Sequence, residues 1–197
     1  MRPPRLLRLA IATLGLCLAL PATVGAAAWT VAEGSAIRFE AYQQGAPVQG
    51  AFPRFTADIL FDPDDLAGSR IAVEIDTTSV TTGHKDRDAV VRSPNLLDVE
   101  RWPSARFASA RIEKVGDDAY EAHGELTLRA VAKEVVLPFT LHMADDPRDL
   151  SLRRAEARGE LTISRLDFGV GQGEWASTAT VGDKVVIAIE ITATARR

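Results

Sequence analysis

The chain has 197 residues, with 23 Lys and Arg against 27 Asp and Glu and a net charge of −4. That length can bury one sizeable core, so a single domain is expected. The acidic balance argues against nucleic acid as a partner, because phosphate binding needs a basic face.

The first residues read as a leader. Arg2, Arg5 and Arg8 make a positive start, and Leu9 to Leu20 is an apolar run of 12 residues. A membrane span needs about 20. Pro21 breaks the run, and Ala26-Ala27-Ala28 offers a small-x-small cleavage site. The expectation is a secretory signal peptide over 1–28, one domain over 29–197 and a periplasmic protein. Cys17 follows Leu16, where lipoprotein processing needs a small residue. Loss of the leader removes that cysteine and leaves 20 Lys and Arg against 27 Asp and Glu, a net charge of −7. No internal disulfide can then form, so the core must hold the fold.

The rest alternates with period two, the mark of half-buried strands. Phe55, Ala57, Ile59 and Phe61 form one row; Ile71, Val73 and Ile75 form another. Tyr120 to Leu128, Val135 to Met143 and Val185 to Ile191 alternate likewise. Turn signals separate them at Asp62-Pro63, Gly116-Asp117-Asp118, Asp145-Asp146-Pro147 and Gly182-Asp183. The pattern predicts an all-β antiparallel barrel or sandwich.

Asp76 to Pro103 interrupts it. About 28 residues are too many for a hairpin loop, and connections of that length carry function or structure of their own. The segment begins polar (His84 to Asp88), turns amphipathic at Ala89-Val90-Val91, and breaks at Ser93-Pro94. It predicts a short helix and a turn closing one barrel end, with Leu96, Leu97 and Trp102 directed inward.

Candidate chemistry is sparse. His123 and His142 lie on polar rows and are expected in solvent. His84-x-Asp86-x-Asp88 lacks a second cluster to complete a metal shell, so the acids are assigned to the start of a helix. No G-x-S-x-G, H-E-x-x-H or P-loop motif is present. Gly169-Val170-Gly171-Gln172-Gly173 precedes no helix and makes no phosphate cradle. What remains is apolar volume, suited to a small-ligand site with a few polar groups at its head. Phe39, Phe52, Phe55, Leu96, Leu97, Trp102, Phe107, Phe139 and Phe168 can line it or fill an ordinary core. Arg87, Asp88, Arg165 and Asp167 can pair as salt bridges or hold a polar headgroup; the structural role is favoured for the two acids.

The segment TSVTTGHKDRDAVVRSPNLLDVERWPSARF resembles the YceI-like family, whose pattern is S-I-x-T-x-x-x-x-R-D-x-x-L-x-S-x-x-F-F-D-x-x-x-Y-P-x-x-x-F. Ser79, Thr82, Arg87, Asp88, Ser93, Asp98, Pro103 and Phe107 fall on it. GELTLRAVAKEVVLPF, SRLDFGVG and VGDKVVIAIEITA are similar to later family blocks, so the resemblance runs from Trp29 to the C-terminus. Leu96-Leu97 replaces an aromatic pair, Trp102 a tyrosine, Ala130 a glycine, and Tyr42-Gln43-Gln44 stands where a histidine is common. The resemblance implies an extended eight-stranded antiparallel lipocalin-like β-barrel with a helix-and-loop cap. It implies a non-enzymatic carrier of long apolar lipids (polyisoprenoid, isoprenoid quinone or fatty amide) with no cofactor or metal. Gly173 to Thr178 resembles members linked to membrane b-type cytochromes, which favours quinones. Contact with a membrane or such a cytochrome, and a homodimer, are compatible with that role. An enzyme acting on bound lipid and a ligand-free stress-response barrel are the alternatives. The leader makes a direct prediction: N-terminal sequencing of the secreted protein should begin at or near Trp29, and Met1 retained on membrane-bound protein would refute it.

Overall fold

The computed structural model describes residues 26–197. The expected leader lies outside the described residues as far as residue 25; Ala27 and Ala28 already belong to the first strand. Ten strands follow in order: β1 (Ala27–Val31), β2 (Ala36–Gln43), β3 (Ala46–Ala51), β4 (Phe55–Phe61), β5 (Arg70–Asp76), β6 (Ser104–Lys114), β7 (Ala119–Leu128), β8 (Val131–Asp145), β9 (Leu152–Ser164) and β10 (Lys184–Arg196). One helix, α1 (Lys85–Arg92), lies between β5 and β6.

Eight strands make a closed antiparallel ring in the order β1-β4-β5-β6-β7-β8-β9-β10, with β10 returning to β1. This is the lipocalin-like barrel expected. The count differs because the β2–β3 hairpin joins the same sheet: β2 pairs with β10 from Val186 to Glu190, beside the β1 pairing at Ala193 and Thr194. An Ala51–Thr81 bridge ties the hairpin to the cap segment. So β1 closes one end of the barrel, and β2–β3 the other.

The rows read from the sequence turn one face inward. Phe61, Tyr120 and Phe139 fill the β1 end, with ring centroids 5.5 Å apart for Phe61–Tyr120 and for Tyr120–Phe139. The Trp29 indole N–H donates to the Phe61 carbonyl at 2.9 Å, which satisfies the one polar atom this aromatic brings inside. Phe107, Ile112, Leu126, Ile163 and Phe168 extend the core toward the cap.

The β7–β8 turn has two residues, Arg129 and Ala130, both in the left-handed region at φ 51° and 58°. A two-residue hairpin of this hand suits the twist of its strands but favours Gly or Asn. A left-handed alanine costs about 1–2 kcal/mol, and glycine returns about 0.5–1 of that through unfolded-chain entropy. Ala130→Gly is therefore expected to stabilise by up to about 1 kcal/mol, read as a higher midpoint in a denaturant melt; a lower midpoint would show that the turn is not strained.

Candidate functional site

The cap end encloses an elongated cavity of about 470 Å³. Strands supply its wall with Ile37, Phe39, Ile75, Leu126, Ile163 and Ile187. The cap supplies Val90, Val91, Leu96 and Leu97, and the segment before β10 supplies Val170, Trp175 and Val181. Tyr42 and Val90 in this lining are exposed, so the cavity opens between the β2–β3 hairpin and α1. Polar side chains are few: Gln43, Thr77, Thr82, Asp86, Arg87 and Arg165.

Two adjacent leucines face opposite ways on an extended segment, whereas on a helical turn they stand about 100° apart and both can reach the cavity. Both Leu96 and Leu97 line it, each 8 % exposed. The chain there is a turn: Leu96 N–H donates to Ser93 O at 3.0 Å, and Leu97 N–H to Val91 O at 3.0 Å. Asp98 follows at φ 49°. That coil directs successive side chains to one side. Arg129 holds it from outside, donating to Pro94 O at 3.0 Å and to Leu96 O.

Of the aromatics expected at the site, Phe39 and Phe52 line the cavity, with ring centroids 5.5 Å apart. Phe39 lies across Gly50 on the paired strand; a β-carbon on Gly50 would come within 2.2 Å of the ring. The others do not line it. Trp102 faces away from the cavity, with the Arg101 and Arg129 guanidiniums each 4.7 Å from its ring centroid. Phe107 and Phe168 are buried core. Phe139 lines a separate cavity of about 90 Å³ at the β1 end. Phe55 is half-buried beside Ile75 in register and lines neither. Conversely, Tyr42, Gln43, Val90, Val91 and Trp175 enter the lining although sequence reasoning left them out. The amphipathic turn at Ala89-Val90-Val91 carried that signal for the two valines.

Of the two roles open to Arg87, Asp88, Arg165 and Asp167, salt bridges between them are not formed among the described residues. Asp88, 7 % exposed, accepts from the Thr82 N–H and hydroxyl at 2.6 Å each and from the Thr81 hydroxyl at 3.1 Å. These bonds, the Thr82 hydroxyl foremost, hold its carboxyl below its usual value. Arg87 donates to the Thr82 hydroxyl at 2.9 Å and carbonyl at 3.0 Å. Arg165, 2 % exposed, donates to the carbonyls of Gly182, Val170 and Val181 at 2.7–2.9 Å. Burial lowers its pKa, and Asp183 opposes that. Gly171 at φ 112° packs against this guanidinium; a β-carbon there would stand 1.8 Å from Nη1. Asp167 is exposed.

His84 precedes α1 as its N-cap without a side-chain cap bond. His123, expected in solvent, is half-buried on the outer wall, with Nε2 3.3 Å from a carboxylate oxygen of both Glu113 and Glu121. Arg111 Nη2 stands 3.1 Å from the other ring nitrogen and its Nε donates to Glu113 at 2.8 Å. The acidic pair thus already has an arginine cation beside it.

A YceI-like domain matches residues 29–193. The chain is 36 % identical over 122 residues to Protein YceI of Escherichia coli, covering 61 % of this chain and 62 % of that one. It thus spans under two thirds of that relative's length. It is 35 % identical over 142 residues to a UPF0312 protein of Pectobacterium atrosepticum, covering 72 % and 71 %. BcnA of Burkholderia cenocepacia superposes with a TM-score of 0.72 at 31 % identity, over 80 % of this chain and 95 % of that one. A polyisoprenoid binding domain from Saccharophagus degradans shares the fold at a TM-score of 0.63 and 13 % identity, over 86 % and 99 %.

The Asp88 geometry sets a pH dependence. A carboxyl whose pKa falls on folding adds stability that is present above its unfolded value of about 3.9 and is lost as pH drops through the folded value. Asp88→Asn should lower the melting temperature at neutral pH, and the gap to the unaltered protein should close as pH falls below about 4. A gap constant with pH would mean that Asp88 does not hold the cap through its charge.

Proposed function

The chain belongs to the YceI-like family, and from its cavity we propose that it is a periplasmic carrier of long apolar isoprenoid-type lipids: a polyisoprenoid, an isoprenoid quinone or a fatty amide. The observation that carries this reading is an open cavity of about 470 Å³ lined mainly by aliphatic and aromatic side chains. Each CH₂ moved from water into such a lining is worth about 0.8 kcal/mol. A tail of ten carbons then gains about 8 kcal/mol before the cost of ordering it. Binding and release alone supply transport, storage or sequestration.

The polar groups sit where a head would. Gln43, Asp86 and Arg87 lie at or near the mouth, and Arg87 spends two donor groups on Thr82. A guanidinium has five N–H donors, so Arg87 retains some for a carbonyl or other acceptor head. Arg165 is committed to three backbone carbonyls and acts as a clasp on the segment before β10. The Saccharophagus neighbour's description as polyisoprenoid-binding is a precedent on the same barrel; the argument for this chain rests on its own lining.

Asp86 in the lining is the one observation that favours the enzyme alternative. It lacks a partner. The hydroxyl–carboxylate contacts beside the cavity are those of Thr82 and Thr81 with Asp88. The Asp88 carboxyl is held below its usual value by its hydrogen bonds, which makes it a poor base for activating a hydroxyl. We therefore read the site as a binding site without catalysis.

Organic extraction of the purified protein followed by lipid mass spectrometry tests the proposal, with about one apolar chain per protein expected. Leu97→Asp and Leu96→Asp should lose that lipid, because the new carboxylate can turn to water at the cap while opposing a tail. Ile112→Asp, in the buried wall, should instead cost several kcal/mol and unfold the barrel. Full lipid content in both leucine variants would remove the cap from the site.

A further inference from the structure

The outer wall carries a cluster that the cavity does not use. On β6, Ala105 and Phe107 are buried, and after them the register slips: Ser109 to Arg111 answers Gly124 to His123 on β7. The extra residue reverses the faces of β6, so Ile112 is the next buried side chain. Arg111 and Glu113, which strict alternation from Phe107 would point inward, are therefore exposed. Register then sets Arg111 opposite His123 and Glu113 opposite Glu121. Two carboxylates directly opposite on paired strands repel, and a cation between them relieves the repulsion.

The imidazole is aimed between the two acids. His123 Nε2 lies 3.3 Å from an oxygen of each glutamate, and the three ligand atoms all fall within 4.8 Å of one another. Nε2 is buried, and it is the one such side-chain nitrogen or oxygen among the described residues without a hydrogen-bond partner. An N–H···O bond would close to about 2.9–3.0 Å. A tetrahedral ion about 2.1 Å from each ligand instead holds neighbouring ligands about 3.4 Å apart. The separation fits an ion better than a shared proton, and a buried nitrogen without a partner calls for one.

We propose that Glu113, Glu121 and His123 form a zinc-type divalent-cation site on the outer wall, clipping β6 to β7 beside the bulge. One imidazole and two carboxylates suit Zn²⁺, whereas Ca²⁺ and Mg²⁺ favour shells of oxygen alone. The ion cancels the two carboxylate charges, and water takes the fourth position. Arg111 holds Glu113 through Oε1 at 2.8 Å, which leaves Oε2 to the ion. Its Nη2 also stands 3.1 Å from His123 Nδ1. A neutral imidazole bound through Nε2 carries its proton on Nδ1, so that guanidinium nitrogen must turn aside. Arg111 is exposed and free to do so. None of the four residues lines the cap-end cavity, so the site is independent of the carrier reading.

The test is a calorimetric titration of tag-free protein, first stripped with chelator, with zinc chloride. One ion per protein should bind. It should also raise the thermal midpoint, because an ion held only by the folded sheet stabilises it. His123→Ala and Glu121→Gln should each weaken binding by about tenfold or more, as even the loss of an outer-shell partner does, and cancel that rise. Both changes lie on the outer face, and circular dichroism checks that the barrel remains. Should one variant fail to fold, the other decides. Arg111→Ala should tighten binding severalfold by removing the competing guanidinium. An unaltered protein that binds no zinc overturns the site. So does binding of equal strength in His123→Ala and Glu121→Gln, which would mean an adventitious ion only, at His84 or His142. Binding that Arg111→Ala leaves unchanged or weakens overturns the placement on Nε2.

Discussion

The constraint on which the structure depends is the second edge of β10. One edge of this strand is taken by β9 along its whole length, from Lys184 to Arg196. An open row of N–H and C=O groups on the other edge would leave the sheet unclosed and ready to pair with another chain. Two partners share that edge instead. β2 takes Val186 to Glu190 and β1 takes Ala193 and Thr194. Neither is long enough to cover the strand alone. Closure by two unlike pieces makes the two ends unlike. The β1 end carries Trp29 and the Phe61–Tyr120–Phe139 cluster and is packed. The hairpin end is left to the cap.

The cap closes its end with few strand bonds, so its backbone carbonyls need other donors. Arginines supply them. Arg92 reaches Thr78 O and Val80 O, Arg129 reaches Pro94 O and Leu96 O, and Arg165 reaches three carbonyls before and beyond the last turn. The planar five-donor fork suits this work better than a lysine ammonium. It also explains why the acids and bases in these motifs do not pair. Asp88 uses its charge on threonine donors, and Arg165 uses its own on carbonyl dipoles. The charged groups are structural, and the cavity surface between them stays apolar.

The strands were legible because period two marks which side chains turn inward, and every alternating row named from the sequence lies on a strand. The cap was legible as a helix and a turn because polar, amphipathic and Ser-Pro stretches follow in that order. The height of a residue along the barrel was not legible. Phe39, Phe107 and Phe139 are all large inward aromatics, yet one lines the cap-end cavity, one is packed in the core beside neither cavity and one belongs to the far end. Height depends on register between strands distant in sequence, such as Val73 opposite Phe107, and alternation carries no trace of it. Trp102 misled for a different reason. Its apolar bulk predicts burial in the cap, whereas two guanidiniums meet its ring from outside.

Of the replacements that set this chain apart from its family pattern, Leu96-Leu97 and Tyr42-Gln43 reach the cavity, while Trp102 and Ala130 stand outside its lining. Leu96 and Leu97 stand at the roof where an aromatic pair is usual, and both touch the cavity. Branched aliphatic side chains carry less volume than rings and present no quadrupole to a ligand head. That part of the roof is thereby aliphatic, while Phe107 belongs to the buried core beyond the lining. Aromatic character lies on the side wall, with Phe39 and Phe52 in contact and Phe39 laid over Gly50. A chain in this cavity meets Leu96 and Leu97 on the cap side and the rings of Phe39, Phe52, Tyr42 and Trp175 along the rest of the lining. Selectivity in such a lining comes from its length and width, because the polar atoms that could read a headgroup are confined to the mouth or already committed to the cap.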